Sequence, residues 1–129
     1  KGKKRLIIGN HDGGWLKRLD ASRYFLSVDH FIEVSDGKHK LVLCHYPLMC
    51  WKHELKSYMI HGHIHNNTNF PYWSVIRNNP RLLNAGTDIN GFEPVSFDEM
   101  LANNKRFKAG VSDETDTETK LYHIKEVQK

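Results

Sequence analysis

A layered α/β fold is predicted by three features of the sequence. Short apolar runs at Leu6-Ile7-Ile8, Leu41-Val42-Leu43-Cys44 and Tyr58-Met59-Ile60 have the composition of strands covered on both faces. Each run stops in a histidine-bearing turn: Gly9-Asn10-His11-Asp12, His45-Tyr46-Pro47 and His61-Gly62-His63-Ile64-His65. A capping box, Ser96-x-x-Glu99, opens a helix late in the chain. In a layered α/β fold, strand ends of this kind lie together at one edge of a sheet, where reactive side chains are presented.

The elements follow in order. The first apolar strand, 6–8, is followed by Asp12, which caps a short helix with Trp15, Leu16 and Leu19 on one face. Residues 25–34 alternate loosely and form one strand or two short ones. Asp36-Gly37 is a hairpin signal, and the second apolar strand, 41–44, ends where Pro47 takes the chain out of the sheet. A short helix is expected within 48–57, containing Trp51, His53 and Leu55. After the third strand, 66–80 reads as an Asn- and Pro-rich loop with a strand at 73–76. A further strand spans 81–84. The helix opened at Ser96 turns Phe97, Met100, Leu101 and Phe107 inward. Residues 112–119 are polar and acidic and read as a mobile loop, and 121–127 as a terminal strand. There is no internal repeat.

Composition narrows the function classes. The chain has 129 residues, 39% apolar and 26% charged, which is globular and enough for one core. The net charge of +4 is concentrated at Lys1, Lys3, Lys4 and Arg5, a solvated end that gives nucleic-acid binding little weight. Trp51, Tyr72 and Trp73 sit among apolar residues and read as core, not as base-stacking platforms. Two cysteines, Cys44 and Cys50, do not make a disulfide framework, and no apolar run is long enough to span a membrane. A reduced, cytoplasmic setting is expected. The lack of an initiating Met suggests a single domain, 1–129, truncated at its N-terminus.

The histidine turn at 61–65 is the most informative stretch. Alternate imidazoles on an extended segment share a side, and Gly62 lets the backbone bend so that rings converge. Neutral imidazole is a common ligand for transition metals. The competing reading is a polar loop with solvated histidines. His30, His39, His53 and His123 read as surface residues.

Taken together and in order, Gly9-Asn10-His11-Asp12, His45 after a buried strand and Gly62-His63-Ile64-His65 resemble the second half of a calcineurin-like metallophosphoesterase. The stretch from Leu83-Asn84-Ala85-Gly86-Thr87-Asp88 to Val95-Ser96 is similar to its small bacterial and phage members. The resemblance implies a four-layer αββα sandwich and hydrolysis of a phosphate mono- or diester at a dinuclear metal site. It implies that Asn10, His45 and His63 bind the second metal and His65 the first. It makes His11 the catalytic imidazole facing the leaving oxygen, with Asp12 orienting His11 or the turn. Two divalent cations, manganese foremost with iron, nickel or zinc as alternatives, acidify a bridging water and hold the phosphoryl group for in-line attack. The implied partner is a phosphate-ester substrate, and nucleic acid enters only as such a substrate.

The chain departs from that family at its beginning. It contains no Asp-x-His and no Gly-Asp, the motifs that supply the first metal and the bridging carboxylate, so the first strands and helices of the sandwich are expected to be missing. Asp29-His30 lacks the required spacing. Asp88 follows a strand but has no ligand role in the family. The alternative function is a non-catalytic metal-binding or interaction module lacking the first metal site.

Overall fold

The computed structural model describes residues 2–111, and the expectations for 112–119, 121–127 and His123 lie outside them. The chain is mixed α/β, with two sheets. Strand β1 (Arg5–Ile7) is followed by a one-turn helix α1 (Gly13–Leu16), a 3-10 turn at Ala21–Arg23, and strands β2 (Ser27–Asp29) and β3 (Phe31–Ser35). Strands β4 (Lys40–Cys44) and β5 (Ser57–His61), helix α2 (Trp73–Asn78), strand β6 (Leu82–Asn84), a 3-10 turn at Thr87–Ile89 and helix α3 (Phe97–Ala109) complete the order.

The four-stranded sheet has the order β3-β4-β5-β6, with β3 antiparallel to β4 and the other neighbours parallel. Its register explains the core. Val42 stands opposite Met59, and Met59 opposite Leu82, so the three form one row on one face. Ile64 and Ile76 close over that row, and Trp51, Phe70, Tyr72 and Trp73 pack against it. These aromatics are core, as their apolar neighbours in sequence suggested. Leu43, Ile60 and Leu83 form the corresponding row on the opposite face. There Phe97, the first residue of α3, meets the Tyr58 ring edge-on, and the Arg81 guanidinium lies over the same ring.

Residues 25–34 resolve into two short strands that belong to different sheets. β2 pairs in parallel with β1, and β3 starts two residues later in the larger sheet. The small sheet corrects one expectation. Leu6, Ile7 and Ile8 are half-buried, not buried on both faces, because β1 has only β2 beside it.

Two other elements differ from expectation. Residues 48–56 form turns and not a helix: His53 adopts a left-handed φ of 57°, and its carbonyl accepts from the N–H groups of both Lys56 and Ser57. The buried Ser57 hydroxyl accepts from the Trp51 indole and contacts the carbonyls of Lys52 and His53, which ties this crossover down without a helix. Residues 73–76, expected as a strand, lie in α2. β-branched composition is overridden by packing: Ile76 is wholly buried in the core, and Trp73, one turn earlier, lies against Phe107 of α3. The predicted capping box is present, with Ser96 accepting from the Glu99 N–H and the Glu99 carboxylate accepting from the Ser96 N–H. Gly110 ends α3 at φ 75°, a left-handed position that suits glycine.

Candidate functional site

Parallel pairing puts the C-terminal ends of β4 and β5 side by side. The Gly62 N–H donates to the His45 carbonyl at 3.0 Å, extending the ladder into both turns. The turn after β1 arrives from the other sheet. His45 Nε2 lies 2.7 Å from Asn10 Oδ1, and the ring centroids of His45 and His63 are 5.2 Å apart. Three strand ends from two sheets therefore meet, as their sequence placement predicted. Gly9 is required for this approach. A Cβ at that position would stand 2.9 Å from Cε1 of His45, closer than carbon atoms pack.

Asp12 holds the first turn. One of its oxygens accepts from the Gly9 N–H at 2.7 Å, and the other from the Trp15 indole at 2.9 Å. These two bonds, the backbone one foremost, keep its carboxyl below the usual carboxylate range. Asp12 occupies the N-cap position of α1, but its side chain makes no capping bond. It orients the turn that carries Asn10 and His11, and both of those residues are exposed.

The three alternating histidines do not act as one set. Extended backbone ends at His61, which is buried and donates from Nδ1 to the Gly62 carbonyl while Nε2 has no partner among the described residues. Burial pushes its pKa down to about 4, so the ring stays neutral. His63 and His65 adopt left-handed φ values of 67° and 53° with Ile64 buried between them. Two such non-glycine residues in three positions cost about 1–2 kcal/mol each. The result is that His63 turns toward His45 and Tyr46, whereas His65 places Nδ1 2.8 Å from Asp88 Oδ2. Asp88, on the 3-10 turn after β6, was expected from its sequence to be able to approach a site, without a ligand role. A carboxylate following a strand and an Asn-Ala-Gly turn was its only signal.

The arrangement brings together Asn10, His45 and His63, with His11 on the same turn as Asn10, and leaves His65 engaged by Asp88. Partial burial, then the neighbouring His63, lowers the His45 pKa, which favours the neutral ring. Adjacent donors in a shell with bonds of ~2.1 Å stand about 3 Å apart, so the Asn10–His45 approach fits two ligands of a single cation. The fit is limited to one. Among the described residues no three His, Cys, Asp or Glu side chains form a cluster that could hold a metal ion. Asp29, level with Ile7 at the C-terminal end of β2, has a buried Oδ2 without a hydrogen-bond partner among these residues.

No family model matches the chain, and no curated protein matches it. A solved structure, that of the protein of unknown function AQ665 from Aquifex aeolicus, is similar to it, with 23% sequence identity and a TM-score of 0.54. The likeness is one of fold. It covers 77% of this chain and 60% of that one, so the chain spans less than two thirds of the structure it matches.

Both cysteines are free thiols, Cys44 half-buried and Cys50 exposed. No helix among the described residues is long and apolar enough to cross a membrane.

Proposed function

We propose that the chain carries the histidine-rich half of a metal-dependent phosphoesterase site, acting on a phosphate mono- or diester. The observation that supports this most is the 2.7 Å approach of Asn10 Oδ1 to His45 Nε2 across two sheets, beside the His63 ring. In this reading the two sheets are the inner layers of an αββα sandwich. Asn10, His45 and His63 would hold one divalent cation, manganese foremost, and His65 would serve a second whose other ligands are not among the described residues. A bound divalent cation supplies Lewis acidity toward the phosphoryl oxygens. The residues do the rest. Asp12 fixes the turn through Gly9 and Trp15, the turn presents His11 at the surface, and His11 delivers a proton to the departing alkoxide.

The test uses the full chain with Mn²⁺ and two probes, para-nitrophenyl phosphate and its bis ester. Metal-dependent release of nitrophenol is expected, falling about 10²-fold in His11→Ala with Mn²⁺ affinity retained. Release that is indifferent to metal or to His11 contradicts the proposal.

A second reading is a non-catalytic module holding one cation. It is favoured by the His65–Asp88 bond, which engages the ring assigned to the other cation. Saturable Mn²⁺ binding with no hydrolysis of either probe selects it.

A further inference from the structure

We propose that Tyr46 is a positioning residue whose ring holds the His63 imidazole toward His45, so that both face one cation. This deepens the phosphoesterase reading and rests on it, because it takes His45 and His63 as ligands of that cation.

Of the two imidazoles, His45 has a polar partner at its ring, the Asn10 amide oxygen at 2.7 Å from Nε2. No hydrogen bond holds the His63 ring among the described residues. Its backbone, by contrast, is pinned. The Gly62 N–H donates to the His45 carbonyl at 3.0 Å, the Ile64 N–H donates to the Gly62 carbonyl at 2.8 Å, and Ile64 itself is buried. With a left-handed φ of 67°, His63 leaves the extended path and stands exposed. The orientation of its ring then falls to two neighbours. The Tyr46 ring lies 4.6 Å from it between centroids, with 61° between planes, and the His45 ring lies 5.2 Å away at 71°. Tyr46 also meets His45, at 5.0 Å and 78°. Three rings thus close a triangle of edge-on contacts, an arrangement that aromatic quadrupoles favour.

A metal-ligating histidine ordinarily has a hydrogen-bond acceptor behind its ring to orient it. At His63 the Tyr46 ring takes that place. Tyr46 is in turn placed by its successor. Proline disfavours helical backbone in the residue before it, so Pro47 narrows the conformations open to Tyr46. Tyr46 is 47% exposed, so its ring can be replaced without opening a cavity in the core.

The experiment is proton NMR of the metal-free full chain, reading cross-relaxation between the His45 and His63 rings, followed by titration with Zn²⁺. Wild type and Tyr46→Phe, which keeps the ring, are expected to show the His45–His63 cross-peaks. Tyr46→Leu, apolar but without a ring, is expected to lose them while its circular dichroism is unchanged. The Zn²⁺ midpoint read at His63 should rise about fivefold in Tyr46→Leu and recover in Tyr46→Phe. Cross-peaks that persist in Tyr46→Leu, or that vanish equally in Tyr46→Phe, overturn the proposal. So does a Zn²⁺ midpoint that is the same in wild type and Tyr46→Leu. If neither histidine of the wild type responds to Zn²⁺, the cation reading itself falls, and the metal-free cross-peaks still decide whether Tyr46 sets the ring.

Discussion

A methyl group at Gly9 would press on the His45 ring at Cε1 from 2.9 Å, next to the Nε2 that meets the Asn10 amide oxygen. Gly9→Ala should therefore displace His45 from Asn10 and weaken Mn²⁺ binding at least tenfold by titration calorimetry, while circular dichroism of the fold is retained. Unchanged affinity would separate Gly9 from the site. At this scale the sequence was informative about the residues that meet. Asn10, His45 and His63 each follow an apolar strand, and parallel pairing brings the ends of β4 and β5 together. It was misleading about His61 and His65, because the argument from alternation requires extended backbone. Left-handed residues at His63 and His65, on either side of the buried Ile64, end that alternation, and such a conformation leaves no trace in a three-residue histidine pattern.

Among the elements, α3 has a task that its sequence did not announce. It covers the open edge of β6. Asn104 accepts from the Asn84 N–H at 2.7 Å and donates to the Asn84 carbonyl at 2.9 Å, and Lys108 donates to the carbonyls of Leu82 and Asn79. The strand edge is satisfied by side chains in place of another strand. Asn104→Ala leaves a buried N–H and C=O without these partners and should cost about 2–3 kcal/mol in urea unfolding. A loss below about 0.5 kcal/mol would mean that water replaces them. Burial pushes the Lys108 ammonium down to about 8. The folded pKa then lies below the unfolded one, and between about 8 and the ordinary lysine value the unfolded chain holds a proton that the folded chain has released. Stability must rise with pH across that window. Lys108→Gln should lack this rise when urea midpoints at pH 7.5 and 10 are compared with wild type. An identical rise in both proteins would exclude Lys108 as its source. Capping box, hairpin and strands were legible because their signals are local. Helix α2 and the turns at 48–56 were not, because Ile76, Trp73 and Trp51 choose their backbone through partners distant in sequence.

At the scale of the whole molecule, the two sheets come together at the proposed centre through one side-chain pair, Asn10 with His45. A cation held there ties β1 to β4 and β5, so binding and folding are linked. At 100 times its dissociation constant, Mn²⁺ should stabilise the chain by about 2.7 kcal/mol. Thermal unfolding should show this in wild type and lose it in His63→Ala. The mixed α/β class was legible from three apolar runs ending in polar turns. The half-covered state of β1 was not, since composition alone does not say which neighbours a strand finds. The most direct measurement is the Mn²⁺ content of the 129-residue chain after incubation and desalting, with His45→Ala in parallel. One Mn²⁺ per chain in wild type and none in His45→Ala is the predicted result. No metal in wild type, or equal loading of the two proteins, would contradict a cation centre at Asn10, His45 and His63.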